Sequence, residues 1–216
     1  MLTRGALGGP ATGGSVMFVQ VIEGNVADRD ALYRQLDRWA AEVAPGATGY
    51  LGSTGGVTAD GRAVLMARFE SAEAARANSA RPEQGQWWAE TEKCFDGEVS
   101  FADSVEVETF GEAAFDSAGF VQVMKGGGAD RERMVAMDRA FEPHMAGFRP
   151  DLLGGVRVWT GPGSYVEAAY FTSEADARAN EQNEPPAALA ELMGDFGEMM
   201  AGVEFLDLRE PKLVSG

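Results

Sequence analysis

The sequence predicts an α+β protein made of two tandem ferredoxin-like units, each β-α-β-β-α-β, packed sheet to sheet within one chain. Three observations carry this. The stretch Phe69-Glu70-Ser71-Ala72-Glu73-Ala74-Ala75-Arg76-Ala77-Asn78 returns 102 positions later as Phe171-Thr172-Ser173-Glu174-Ala175-Asp176-Ala177-Arg178-Ala179-Asn180, with six of ten positions identical and no gap. The same offset carries Phe18-Val19-Gln20-Val21 onto Phe120-Val121-Gln122-Val123, and Ala27-Asp28-Arg29 onto Ala129-Asp130-Arg131. A repeat of that period is a duplicated domain-sized unit, not a solenoid. Finally, strand-like and helix-like periodicities follow one another in the same order in both halves, the split-βαβ pattern.

Taking the first unit in order, Met17 to Ile22 is a β-branched run closed by Glu23-Gly24-Asn25, a strand and its turn. Asp28 stands as N-cap to a helix whose apolar stripe is Leu32, Leu36, Trp39 and Val43, stopped by Pro45-Gly46. Tyr50 to Thr54 and Ala63 to Phe69 read as strands joined through Ala59-Asp60-Gly61-Arg62. Ser71 caps a short helix, and Pro82 opens another whose shared face holds Trp87, Trp88, Thr91, Cys94 and Phe95. Val99, Phe101, Asp103, Val105 and Val107 then alternate with polar residues, as in one half-buried strand.

The second unit repeats the order. Phe120 to Met124 is a strand, and a helix follows with Met134, Met137 and Phe141 inward. Strands near Val156 to Trp159 and Tyr165 to Phe171 lead to a helix capped by Ser173, with Asp176 completing a capping-box arrangement. Pro185-Pro186 opens a helix bearing Leu189, Leu192, Met193 and Phe196, and Val203 to Leu208 is the closing strand. The resulting division is a flexible leader over 1–16, a first domain over 17–110, a linker over 111–118 and a second domain over 119–210. Such a sheet has helices on one face only, so each copy is expected to cover the bare face of the other, with the apolar side of the Val99 to Val107 strand turned inward.

Composition limits the partners. The net charge of −16 is spread evenly, with 9 basic and 18 acidic residues in 1–116 and 9 and 16 in 117–216. Neither half has a basic footprint for nucleic acid or an anionic membrane. A lone cysteine, Cys94, cannot form an internal disulfide and fits a reducing cytoplasm. The first residues lack the apolar core of a secretory signal, and no apolar run approaches the roughly 20 residues that span a bilayer. Gly126-Gly127-Gly128 does not open a helix in a dinucleotide fingerprint, His144 has no Cys or acidic partners at metal spacing, and no Gly-x-Ser-x-Gly elbow occurs. Flavin, nicotinamide and metal therefore have no visible anchor, and no cofactor is expected.

The phrase Phe-x-Ser-x-x-x-Ala-Arg-Ala-Asn, after a Phe-Val-Gln-Val first strand, resembles the dimeric α/β-barrel superfamily, in its antibiotic-biosynthesis-monooxygenase-like branch. The resemblance covers residues 17–110 and 119–210 and implies an intrachain pseudo-dimeric barrel, leaving further homo-oligomerisation open. It also implies a small-molecule cavity between sheet and helices in each unit. Known members include cofactor-independent monooxygenases acting on phenols and quinols, and haem-degrading enzymes. The haem-degrading members use a ligating His where this chain has Asn78 and Asn180, so the resemblance does not extend to haem. Gln20 and Gln122 stand near the family's first-strand Asn. Phe69 and Phe171, or their neighbours Arg68 and Tyr170, stand near its Trp, which makes Gln20, Gln122, Phe69 and Tyr170 candidate substrate-binding residues.

Asn78 and Asn180 are candidate catalytic amides, able to donate to a substrate or peroxide oxygen; the competing reading is that each ends a helix before a proline-led break. Trp87 or Trp88 could stack on an aromatic ring or serve as core, and the second copy has Leu189 and Ala190 there. Asp103, placed on an apolar strand face, is either a general base with a raised pKa or a sign that the strand bulges or ends. His144 reads as a surface residue in the loop after a helix. Two functions follow: a cofactor-independent oxygenase on a small phenolic or quinol molecule, or a pair of domains that bind or brace without chemistry.

Overall fold

A computed structural model of the chain describes residues 17–111 and 115–216. The expected leader and residues 112–114 of the expected linker lie outside these. The first half runs β1 (Phe18–Val26), α1 (Arg29–Arg38), β2 (Tyr50–Val57), β3 (Arg62–Phe69), α2 (Ala72–Ser79), α3 (Pro82–Thr91) and β4 (Phe95–Ser104). The second runs β5 (Val107–Gly111), β6 (Phe120–Gly126), α4 (Arg131–Phe148), β7 (Leu152–Gly161), β8 (Ser164–Phe171), α5 (Glu174–Asn180), α6 (Ala190–Met199), β9 (Glu204–Leu208) and β10 (Lys212–Ser215). They form two antiparallel five-stranded sheets, ordered β10-β2-β3-β1-β4 and β5-β7-β8-β6-β9. Without the outermost strands β10 and β5, the two orders are the same, and each is that of a ferredoxin-like unit.

The caps expected at Asp28, Ser71 and Ser173 form, and Asp130 makes the same contact. Asp28, Ser71, Asp130 and Ser173 each accept a hydrogen bond from the backbone N–H three residues on, closing one of the orphan donors of a helix start. The Ser173 hydroxyl also donates to Asp176 at 2.7 Å. Other boundaries moved for identifiable reasons. The first helix widens at Trp39–Val43 into a π-helical turn and ends in a 3₁₀ turn at Ala44–Gly46. Strand β2 continues through Gly55 and Gly56 to Val57 because close approach requires glycine: a Cβ on Gly56 would lie 3.0 Å from Leu208 of the other sheet. Pro143 does not end α4 but sits exposed within it, so His144 is helical.

The Val99 to Val107 strand is corrected most. It breaks at Val105-Glu106, and Val107–Gly111 pairs with β7 of the second sheet. Reciprocally, β10 pairs with β2 of the first sheet. Each sheet thus takes its outer strand from the segment that follows the last strand of the other unit. The inward side of β4 is also not the apolar one. Ala102 packs against the inter-sheet core, whereas Phe101 stays on the helix side, 50% exposed and edge-on to Trp88.

The inter-sheet core is built by strict alternation. Val19 and Val21 of β1, Val64 and Met66 of β3, Val121 and Val123 of β6, and Ala168 and Tyr170 of β8 all face the opposite sheet. Full burial of each such aliphatic side chain contributes about 1.5–3 kcal/mol. Phe115, in a turn between the units, is buried here and stacks on Tyr170 with ring centroids 4.1 Å apart.

Two polar contacts in this interface join residues 102 positions apart, so each position meets its own duplicate. Lys125 on β6 pairs with Glu23 on β1. The Arg68 guanidinium donates to the Tyr170 hydroxyl at 3.2 Å, and Thr54 shares a 2.6 Å hydrogen bond with the same hydroxyl. In a two-fold homodimer, residues on the axis must face identical residues. Fusion into one chain lets them become complementary.

Two outcomes follow. Lys125→Glu sets two carboxylates together and should cost about 1–3 kcal/mol in urea unfolding, while the exchange Glu23→Lys/Lys125→Glu should recover most of it; equal losses in the single and the exchanged protein would deny the pairing. Deleting residues 211–216 strips β2 of its neighbour and should lower Tm by roughly 5 °C or more in calorimetry.

Candidate functional site

A cavity of about 130 Å³ lies between the first sheet and its helices. Its walls follow from the alternation on β1 and β3: with Val19 and Val21 committed to the inter-sheet core, Phe18, Gln20 and Ile22 face the helices, joined by Leu65, Ala67 and Phe69. The helices supply Leu36, Trp39, Asn78, Gln84 and Trp87, and the exchanged strand β10 adds Lys212 and Val214.

Around it the aromatic rings brace one another. Trp39 meets Tyr50 edge-on at 4.7 Å and Trp87 at 6.1 Å, and Tyr50 meets Phe69 at 5.6 Å. The Tyr50 hydroxyl donates to Ser53 at 2.7 Å; burial pushes its pKa up to about 12, so it remains a neutral phenol at physiological pH. The Trp87 indole N–H is spent on the Gln35 backbone carbonyl at 2.7 Å, which leaves its ring face as the useful surface.

Asn78 is 5% exposed, in the last turn of α2. Its Oδ1 accepts from Arg81 at 2.9 Å, and its Nδ2 donates to Gln84 Oε1 at 3.2 Å. The same Gln84 oxygen accepts the Trp39 indole N–H at 2.7 Å. At the rim, Gln20 Nε2 donates to Asp103 at 2.9 Å. Asp103 is exposed and partnered, not the buried, isolated carboxylate expected from the alternation, because β4 is an edge strand and Phe101 beside it is half open to water.

The second unit uses the corresponding space differently. At the 102-residue offset, Gly55 becomes Arg157, Leu65 becomes Glu167 and Leu36 becomes Asp138. These three meet: Arg157 Nε donates to Glu167 at 2.5 Å, and its two terminal nitrogens reach Asp138 at 2.5 and 3.2 Å. Glu108 from β5 stands 3.4 Å away. Burial works against the Arg157 charge, but the surrounding carboxylates outweigh it and hold the guanidinium pKa above its ordinary value. The Phe110 ring packs onto Gly155, where a Cβ would fall 2.2 Å from it. A salt-bridged plug thus stands where the first unit has a cavity.

The remaining candidates divide accordingly. Phe69, Gln20 and Trp87 line the cavity with Asn78, and Asp103 is at its rim. Trp88 lies outside it, among Trp87, Phe95 and Phe101. Tyr170 is not a cavity residue: on β8 it is Phe171 that turns toward the helices, which sends Tyr170 into the inter-sheet core. Gln122 repeats the Gln20 arrangement by donating to Asp207 at 2.9 Å, but Arg178 also reaches Asp207 and lies over the Phe120 ring at 5.2 Å. Asn180 is occupied by the Asp176 carbonyl at 2.9 Å and by Asn183 at 2.8 Å.

Gln84, Arg81, Tyr50 and Lys212 are site residues that sequence reasoning missed. The exchange of Gly55, Leu65 and Leu36 for Arg157, Glu167 and Asp138 was readable in the repeat register and would have marked the first unit as the one with room. Among the described residues, no group of three or more His, Cys, Asp or Glu side chains is placed to hold a metal ion. Likewise, no described helix is long and apolar enough to cross a membrane.

No protein-family model and no curated protein matches the chain. Solved structures do. A "putative monooxygenase" of Fusobacterium nucleatum aligns with a TM-score of 0.72 at 10% identity, over 94% of this chain and 95% of that one. Another of the same description, from Lactobacillus acidophilus, gives 0.67 at 12% identity over 92% and 96%. An anthrone oxidase-like protein gives 0.61 at 12% identity over 94% and 95%. At these identities the likeness establishes architecture. The chain shares with these proteins, along essentially its whole length, a fold of two ferredoxin-like units packed sheet to sheet.

Proposed function

We infer that the first-unit cavity binds a small phenolic or quinol molecule and oxidises it with dioxygen, without a bound cofactor. The observation that carries this is an aromatic-walled, largely apolar cavity with one buried amide, Asn78, in its wall. Its volume of about 130 Å³ suits a single ring, since an apolar cavity of about 150 Å³ takes up benzene. The names of the full-length structural neighbours support the reaction class.

The chemistry is balanced for a hydroquinone: with one O₂ it gives a hydroxyquinone and water, the ring supplying all the electrons. Trp87 and Phe69 would hold the ring. Asp103, at the rim with Gln20, would take the phenolic proton. The Asn78 amide would stabilise the negative charge that develops on oxygen. Asn180 and Gln122, at the plugged position, have no part in this scheme. Cys94, a buried thiol whose pKa burial raises, suits a reducing cytoplasm.

Binding without chemistry is the second reading, favoured by the exposure of Asp103 and its engagement with Gln20. Oxygen uptake by the metal-free protein, measured against a panel of one-ring hydroquinones, separates the two. Saturable uptake is expected, with kcat reduced about hundredfold in Asn78→Ala and unchanged in Asn180→Ala. Calorimetry should find one molecule bound per chain. Saturable quenching of tryptophan fluorescence with no uptake would establish the binder, and two equivalent sites would refute the assignment to the first unit.

A further inference from the structure

The polar wall of the cavity has a direction that chemistry alone fixes. Arg81 donates to Asn78 Oδ1 at 2.9 Å and to the Val43 carbonyl at 3.0 Å. A guanidinium can only donate, so the oxygen of the Asn78 amide must face Arg81 and its NH₂ must face Gln84. The Trp39 indole N–H also can only donate, so the Gln84 atom it meets at 2.7 Å must be the oxygen. That oxygen receives both Trp39 and Asn78. Two donor-only groups at the ends of the relay therefore forbid either amide from flipping, and the Gln84 NH₂ is left over. Among the described residues it has no hydrogen-bond partner, and Gln84 lines the cavity.

The second unit keeps only the asparagine of this device, Asn180, and lacks the other three parts. At the 102-residue offset, Arg81 becomes Asn183, Gln84 becomes Pro186 and Trp39 becomes Phe141. The relay is present where the cavity is open and absent where it is plugged.

We propose that Gln84 is the ligand-contacting amide of this cavity, presented NH₂-first by the Arg81–Asn78–Gln84–Trp39 relay, and that it selects aromatic molecules bearing an acceptor oxygen, a carbonyl or a phenolate. Arg81 then acts as a positioning residue behind it, and Asn78 positions Gln84 with one N–H while its second N–H serves the reacting oxygen. The inference rests on the reading of the cavity as a site for one-ring molecules, and assigns its specificity.

Three one-ring probes test it by calorimetry: acetophenone, which can only accept; aniline, with a donor NH₂; and ethylbenzene, with neither. The wild-type protein should bind acetophenone about tenfold more tightly than ethylbenzene, the worth of one hydrogen bond. Gln84→Glu keeps an oxygen for Trp39 and Asn78 but removes the NH₂. It should hold ethylbenzene unchanged, lose the tenfold preference for acetophenone and gain affinity for aniline. Gln84→Leu should lose the preference without gaining aniline. Asn78→Asp keeps the Arg81 contact but withdraws the donor that orients Gln84, so it should narrow the ratio of acetophenone to aniline affinity at constant ethylbenzene affinity. An acetophenone-to-ethylbenzene ratio that stays at its wild-type value in both Gln84 variants would overturn the proposal alone. Failure of the wild-type protein to bind any of the three would overturn the reading of the cavity itself.

Discussion

A sheet with helices on one face leaves the other face bare, and everything else in this molecule depends on how that face is covered. Val19, Val21, Val64 and Met66 from one copy meet Val121, Val123, Ala168 and Tyr170 from the other, with water excluded between them. Because side chains alternate along a strand, committing these residues to the interface commits their neighbours to the helix side. Phe18, Gln20, Phe69 and their counterparts therefore owe their position to the inter-sheet contact, although none of them touches it. The cavity is shaped by the packing behind it.

Joining both copies in one chain relaxes a rule that binds a homodimer. Two identical subunits must carry two identical sites and must set like against like on the symmetry axis. Here the axial positions have become Glu23 with Lys125 and Arg68 with Tyr170, and the two helix-side spaces have diverged further. One keeps Gly55, Leu65 and Leu36 around a cavity; the other closes on Arg157, Glu167 and Asp138. A buried ion cluster adds little net stability over apolar packing, since desolvation offsets most of its attraction. Its clearest effect is to fill space with a shape and charge that an aromatic molecule cannot displace. One copy can thus specialise while the other serves as a wall.

The repeat register made the architecture legible: three short blocks at one offset predicted two units of the same topology, and the helix caps fell where Asp28, Ser71 and Ser173 stood. The Val99 to Val107 alternation misled, because an apolar alternation shows which residues share a face but not which face it is, nor whether the chain stays in one sheet. Strand β10 was invisible, since Lys212-Leu213-Val214-Ser215 has no signal of its own and pairs only because β2 offers an open edge. Of the cavity lining, Asn78, Gln20 and Phe69 were legible through repeat and resemblance, and Trp87 through the shared face of its helix. Tyr170 was placed one residue out of phase, which on a strand is the opposite side. Gln84 and Arg81 carry no motif; their meaning comes from two donor-only partners brought together by the fold.

The reciprocal exchange of β5 and β10 also sets an order on events during synthesis. The first sheet has β2 as a bare edge until Lys212–Ser215 has left the ribosome, by which time the whole second unit has emerged. A wall of the cavity, Val214 and Lys212, is accordingly made after all of the second unit and pairs with a strand of the first. Contacts of such sequence separation close late and slowly. The cavity therefore lacks one wall until the second unit has been made, and its completion reports that both units are in place.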